Sequence, residues 1–62
     1  MPLIQLSMLE GRTNEQKIRL IKELTKTTCE ICGCKPEAVV VILHDVPKEN
    51  WGTAGKSKAE AQ

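Results

Sequence analysis

The sequence predicts an α+β fold: a single β-α-β unit with parallel strands and a short C-terminal hairpin. An alternating segment lies near the N-terminus, an unbroken apolar run lies in the second half, and a helical stripe of apolar residues lies between them. A strand, a helix of about twenty residues and a second strand are the order of a parallel crossover unit. At 62 residues the chain is predicted to form one domain, residues 1–62.

The first strand is predicted over residues 3 to 8, because polar and apolar residues alternate there. Alternate side chains of a strand point to opposite faces, so one face is strongly apolar. The two faces consist of Leu3, Gln5 and Ser7 on one side and of Ile4, Leu6 and Met8 on the other. Residues 9 to 12 then form a loop.

The helix is predicted to start at Thr13, which precedes Gln16 by three residues in the pattern of a capping box. Gly33 is placed to end the helix in a left-handed conformation, and Pro36 prevents its continuation. Apolar residues at three- and four-residue spacing predict the stripe that faces the sheet: Ile18, Ile21, Leu24, Thr28 and Ile31.

The second strand is predicted over residues 38 to 43, a β-branched run without alternation that is typical of a strand apolar on both faces. One helix covers only one face of a two-stranded sheet, so the second apolar face, with Val40 and Ile42 or their neighbours, needs another cover. A chain of about 60 residues also buries too little surface to be stable easily as a lone copy. We therefore expect the sheet to pack on another copy of itself.

Composition and charge exclude several classes of partner. Nine basic and eight acidic residues give a net charge of +1, and Trp51 is the sole aromatic residue, so neither a basic stripe nor a stacking platform for nucleic acid exists. The longest apolar run is far too short to span a bilayer, and the N-terminus lacks the pattern of a signal peptide. We expect a cytoplasmic protein that binds neither nucleic acid nor membrane.

Three cysteines lie close together in the sequence, at Cys29, Cys32 and Cys34. An odd count in a cytoplasmic chain argues against a disulfide framework. With His44 they are an alternative set of zinc ligands, but a helix C-terminus disfavours thiolates and a second paired cluster is missing. Free thiols and a strand-end histidine are the favoured interpretation, and we predict no metal site.

Pro2 is a candidate base. Removal of Met1 would free its nitrogen as a secondary amine, although a strand-edge proline is the commoner role for such a residue. An α-amino group has a pKa near 8, and burial among Leu3, Met8 and Trp51 close to Arg12 would lower the pKa toward neutrality.

The order of Pro2, the segment LEGRT-x-EQK at residues 9–17, the Val-rich strand and the segment ENWG at residues 49–52 resembles the 4-oxalocrotonate tautomerase family. The resemblance covers essentially the whole chain. It implies a β-α-β subunit whose dimers, with four-stranded sheets, assemble into a hexamer, a trimer of dimers. It also implies an isomerase without cofactor or metal, which moves a proton between oxygen and carbon of an enol conjugated to a carboxylate.

The resemblance assigns four site residues. Pro2 is the base, Arg12 holds the substrate carboxylate, the Leu9 backbone N–H binds a substrate oxygen, and Trp51 forms an apolar wall. A guanidinium binds a carboxylate through two parallel hydrogen bonds, which makes the assignment of Arg12 chemically sound. The alternatives are a solvated loop arginine and a tryptophan that anchors the C-terminal hairpin.

The chain departs from the resembled pattern at Val40, where well-studied members carry a second arginine that polarises the 2-oxo group of the substrate. Losing such a donor typically costs about 3–4 kcal/mol in a barrier. The substrate expected from the resemblance is a small unsaturated 2-hydroxy or 2-oxo carboxylic acid. Three alternatives stay open: an oligomeric scaffold without activity, a thiol- or metal-binding module, and a hydratase or dehalogenase of the same superfamily.

Overall fold

The fold is the predicted β-α-β unit followed by a small hairpin. A computed structural model describes residues 1–60, so the last two residues of the predicted domain lie outside the described residues. Two parallel strands, β1 and β2, form one sheet, and two antiparallel strands, β3 and β4, form the hairpin. The elements are β1 (Leu3–Leu9), α1 (Asn14–Cys32), β2 (Val40–Val46), β3 (Gly52–Thr53) and β4 (Lys56–Ser57).

The register of the sheet pairs Leu3 with Val40 at one end and Leu9 with Val46 at the other. Burial alternates along both strands, which confirms the predicted two faces of β1. The inner face, which α1 covers, includes Ile4, Leu6, Met8, Val41 and Leu43, all of them half-buried.

The predicted start of the second strand was wrong by two residues. Pro36–Ala38 forms a 3-10 turn, in which the N–H of Val39 donates to the carbonyl of Pro36 at 3.1 Å. Proline fixes its own φ near the helical value and favours the first position of such a turn. The strand therefore begins only at Val40, and it continues to Val46 rather than ending at Leu43.

Both ends of the helix are as predicted. The Thr13 hydroxyl oxygen accepts from the backbone N–H of Gln16 at 3.1 Å, and the Gln16 side chain accepts from the N–H of Thr13 at 2.9 Å. At the other end Gly33 has a φ of 70°, and its N–H donates to the carbonyl of Cys29 at 2.9 Å. The helix is thus held at 19 residues by its own capping residues.

The predicted sheet-facing stripe of the helix was wrong in part. Ile18 and Ile31 are 66% and 80% exposed, and Ile21 is also exposed. Two apolar series run along neighbouring flanks of the helix, and a two-stranded sheet is wide enough to contact only one of them. The series with reduced exposure is Lys17, Leu20, Leu24 and Thr28.

The outer face of the sheet is uncovered in the single chain, as predicted. Leu3 is 56% exposed, Val40 44% and Ile42 39%. Within residues 1–60 no side chain is fully buried, so one copy has no closed core. In the same range α1 is not long and apolar enough to cross a membrane.

Candidate active site

The carboxyl ends of β1 and β2 are tied together by backbone contacts. The N–H of Glu10 donates to the carbonyl of Val46 at 2.9 Å. The Glu10 carboxylate in turn accepts from the backbone N–H of Lys48 at 3.4 Å. Because of these contacts, Leu9 at the end of β1 and the following loop with Arg12 lie at the same end of the sheet as the segment after β2. The predicted loop at residues 9 to 12 therefore begins one residue later, since Leu9 belongs to the strand.

Arg12 lines a pocket at this end of the molecule. The pocket has a volume of about 220 Å³ and lies between the start of α1 and the inner face of β1. Among residues 1–60 the only salt bridge joins Lys17 to Asp45, so the exposed Arg12 guanidinium has no carboxylate partner there. An unpaired guanidinium at the mouth of a pocket can bind a carboxylate through two hydrogen bonds. The other lining residues are Met8, Gln16, Lys17 and Leu20.

Sequence reasoning missed the Lys17–Asp45 ion pair that borders this pocket. The Lys17 ammonium lies 2.5 Å from an Asp45 carboxylate oxygen, with the side chains 28% and 39% exposed. The pair connects the first turns of the helix to the carboxyl end of β2. One signal was available: Asp45 has the same strand parity as Val41 and Leu43, which places it on the face that the helix covers.

Trp51 follows a 3-10 turn at Lys48–Asn50, beyond the end of β2. Its N–H donates to the carbonyl of Lys48 at 3.2 Å, and its carbonyl accepts from the N–H of Lys58 at 2.8 Å. These bonds fasten the backbone of Trp51 to the 3-10 turn before the hairpin and to the residue that follows β4, while its half-buried side chain borders a hollow of about 350 Å³. An anchor for the hairpin and an apolar wall are therefore compatible roles for the same residue.

Pro2 lies at the opposite end of the sheet. Its carbonyl accepts from the backbone N–H of Val40 at 3.0 Å, and it is half-buried. Within residues 1–60 of one chain the expected neighbours Met8, Arg12 and Trp51 do not surround Pro2, because they lie at or beyond the far end of the strands. The length of β1 separates them from Pro2 by about 20 Å.

Met1 is 96% exposed and precedes Pro2. While this peptide bond is intact, the nitrogen of Pro2 is an amide and has no basicity. Removal of Met1 is therefore the condition on which any chemistry of Pro2 depends.

The thiols lie near the Pro2 end of the molecule. Cys29 and Cys34 are half-buried and Cys32 is exposed. Burial raises the pKa of Cys29, and the neighbouring thiol of Cys34 raises it further. His44 lies on the outer face opposite Ser7, whereas Cys29 and Cys32 lie on the helix that covers the inner face.

Residues 1–60 contain no arranged set of ligands for a metal ion. In the part of the chain that the structure describes, no group of three or more His, Cys, Asp or Glu side chains is arranged to hold a metal ion. His44 lies on the other face of the sheet from the helix that carries Cys29 and Cys32, so it is not placed to be the fourth ligand of the alternative zinc site.

The chain is similar to known tautomerases over nearly its whole length. The family described as "Tautomerase enzyme" matches residues 2–61. A 2-hydroxymuconate tautomerase of Comamonas testosteroni is 50% identical over 60 residues, which are 97% of this chain and 95% of that protein. The 2-hydroxymuconate tautomerase of Pseudomonas putida is 43% identical over the same shares of both chains.

The fold of this chain is also similar to solved structures of 4-oxalocrotonate tautomerases and their homologues. A crystal structure of a 4-oxalocrotonate tautomerase homologue superposes with a TM-score of 0.95 at 31% identity, over 100% of this chain and 98% of that chain. A heterohexamer 4-oxalocrotonate tautomerase from Chloroflexus aurantiacus J-10-fl gives a TM-score of 0.92 at 34% identity, over the full length of both chains.

Proposed function

The chain belongs to the tautomerase family as an isomerase of the 4-oxalocrotonate tautomerase type, and from this premise we propose its chemistry: ketonisation of a small unsaturated 2-hydroxy carboxylic acid, with the amine of Pro2 as the base after Met1 is removed. The observation that carries the proposal is the unpaired guanidinium of Arg12, which lines a pocket and is free to bind a carboxylate. Arg12 therefore orients the substrate, and Pro2 moves the proton.

The proton transfer needs only one group that alternates between base and acid. The neutral amine of Pro2 takes the proton from the enol hydroxyl, and the electrons of the O–H bond form the carbonyl. The carbon–carbon double bond shifts, and the resulting ammonium returns the proton to carbon. Nothing is oxidised or reduced, and the amine ends neutral. An α-amino group with a pKa near 8 requires only a small downward shift to be half neutral at pH 7.

The site is proposed to form between subunits. In one chain Pro2 and Arg12 lie at opposite ends of β1, so a substrate that contacts both must bind where two copies meet. The uncovered outer face, with Leu3, Val40 and Ile42 exposed, supports such packing. Burying it would also exclude water from the base. We propose a homo-oligomer, a hexamer built as a trimer of dimers.

Leu9 and Trp51 complete the proposed site. The backbone N–H of Leu9 would bind a substrate oxygen, and Trp51 would cover the apolar part of the substrate. Leu9 ends β1 and Trp51 lies beyond the end of β2. Both residues are therefore at the end of the molecule that carries Arg12, where the substrate carboxylate would be held.

The first substrate to examine is 2-hydroxymuconate, because two relatives carry its name. Val40 presents an apolar side chain where a donor to the 2-oxo oxygen would be needed. Turnover of a substrate that depends on this donor is therefore expected to be low. An unsaturated acid that develops less charge on that oxygen would fit the site better.

A Pro2→Ala variant tests the proposal. Its N-terminus is a primary amine with a different base strength and geometry, and we expect kcat for ketonisation to fall by about 10²- to 10⁴-fold. Thr27→Ala, an exposed change on α1 away from the sheet, is the control and should keep full activity. Intact mass establishes whether Met1 has been removed in each protein. An unchanged rate in Pro2→Ala, or full activity in a protein that retains Met1, would contradict the assignment of the base.

A further inference from the structure

The cysteine cluster at the end of α1 has no part in the proposed reaction. Cys29 lies in the last turns of the helix, and Cys34 follows the capping residue Gly33. Both side chains are half-buried, whereas Cys32 between them is exposed.

The geometry of the helix end brings two of these cysteines together. Gly33 adopts the left-handed conformation, and its N–H donates to the carbonyl of Cys29 at 2.9 Å. In helix ends of this kind the chain turns back, so the residue after the glycine contacts the residue whose carbonyl is bound. Those residues are Cys34 and Cys29, and Cys34 lies near enough to Cys29 to raise the pKa of its thiol.

Cys29 also borders an open hollow of about 450 Å³ on the flank of the helix. Lys22, Lys26 and Glu30 line the hollow mainly through the apolar parts of their side chains, and together these residues give its surroundings a net positive charge. The hollow therefore favours a small molecule that carries carboxylates, and it brings such a molecule next to Cys29.

We infer that Cys29 and Cys34 form a reversible redox pair that a small carboxylate-bearing disulfide, of the class of oxidised glutathione, converts into an intramolecular disulfide. The helix cap turns half-buried Cys34 back toward half-buried Cys29, and a disulfide requires this kind of proximity. Cys32 projects into solvent and is not a member of the pair.

The exchange balances in two steps. The Cys34 thiolate attacks one sulfur of the small disulfide and releases one small thiol, leaving a mixed disulfide on Cys34. The Cys29 thiolate then attacks the sulfur of Cys34 and releases the second small thiol. The two cysteine protons end on the two small thiols. The protein loses two electrons, and the small disulfide gains them.

The order of attack follows from the environment of Cys29. Its raised pKa keeps the thiol protonated at neutral pH, so it is a poor first nucleophile. In the second step its target is held next to it, and this proximity compensates for the small thiolate fraction.

The test uses the full-length reduced protein and oxidised glutathione. After incubation, free thiols are blocked with iodoacetamide, and the denatured chain is cleaved after glutamate, which separates residues 24–30 from residues 31–37. The first peptide contains Cys29 alone and the second contains Cys32 and Cys34. We expect the two peptides to be joined by one disulfide, with Cys32 alkylated, and reduction to restore both thiols.

Two variants distinguish the pair from its alternatives. Cys32→Ser should keep the cross-link, because this exposed thiol is not needed for it. Cys34→Ser should abolish the cross-link. Because Cys32→Ser alters only an exposed side chain, its result holds even if a change at half-buried Cys34 weakens the fold.

Three outcomes would overturn the inference. The first is a cross-link that survives in Cys34→Ser, which would place the bond between Cys29 and Cys32. The second is glutathione adducts without a cross-link in Cys32→Ser. The third is a disulfide between two chains, seen as a doubled mass without reductant.

Discussion

The backbone N–H of Val40 donates a 3.0 Å hydrogen bond to the carbonyl oxygen of Pro2. The candidate base is therefore adjacent to Val40, the position at which the family resemblance predicts a second arginine. Val40 is also the first residue of β2, and it lies on the outer face, where it is 44% exposed in the single chain. The end of the sheet where Pro2 lies therefore has a valine in place of a guanidinium that would polarise the 2-oxo group of the substrate.

Val40→Arg is expected to raise kcat/KM for 2-hydroxymuconate by about tenfold or more, because a guanidinium near Pro2 can stabilise the developing oxyanion. Steady-state kinetics measure the gain. Val40→Leu lengthens the same side chain without adding a donor, and it should give none. Equal rates for the parent protein and a correctly assembled Val40→Arg variant would contradict the role given to this position.

Arg12→Ala is expected to raise KM by about 10- to 100-fold and to change kcat less, because a charge-assisted pair of hydrogen bonds to the substrate carboxylate is lost. Arg12→Lys should recover part of the binding, since an ammonium keeps the charge but not the bidentate geometry. Arg19→Ala removes an exposed helical arginine and is the control. A KM that stays constant in Arg12→Ala would show that the guanidinium does not hold the substrate.

Thr13→Ala is expected to lower the free energy of unfolding by about 1 kcal/mol, because it removes the hydroxyl that caps α1. Urea denaturation followed by circular dichroism measures the change. Thr27→Ala alters an exposed threonine in the same helix and should leave stability nearly unchanged. If the two variants are equally stable, the cap does not hold the start of the helix.

Ile42→Glu is expected to reduce the size of the assembly, because it places a charge on the exposed apolar face of the sheet. Sedimentation or light scattering measures the mass, and activity should fall together with it. Ile31→Glu changes a residue that is 80% exposed at the helix end and is the comparison. Dissociation by Ile31→Glu but not by Ile42→Glu would show that the helix, not the sheet, is the surface that pairs.

The raised pKa of Cys29 predicts how stability changes at alkaline pH. The folded protein favours the neutral thiol more than the unfolded chain does, so this contribution is complete below the ordinary thiol pKa of 9.0. It is lost as the pH rises through the higher pKa of the folded state. Urea midpoints above pH 9 should therefore fall less in Cys29→Ala than in the control Cys32→Ala. Equal declines in the two variants would show that Cys29 makes no such contribution.

The elements of the fold were predictable because their signals are local. The Thr13–Gln16 capping box, Gly33 at the helix end and the alternation in β1 each depend on residues within a few positions of one another. The sheet-facing stripe of the helix was not predictable in the same way. Ile18 and Leu20 start two competing apolar series, and only the narrowness of the sheet decides between them.

The sequence predicted which residues belong to the candidate site, but it did not predict where they lie relative to one another in the fold. Family resemblance selected Pro2, Leu9, Arg12 and Trp51. Only the register of the sheet shows that Pro2 is separated from the other three by the length of a strand. Lys17 and Asp45 lie 28 positions apart in the sequence, so their contact at the Arg12 pocket depended on tertiary packing.

The two ends of β1 carry complementary halves of the proposed catalytic unit. A copy defective at Pro2 still offers an intact Arg12 to its neighbour, and a copy defective at Arg12 still offers an intact Pro2. Two inactive proteins of these kinds, once assembled together, would contain some whole sites. In this arrangement each site is formed by two chains, and one chain supplies Pro2 to one site and Arg12 to another.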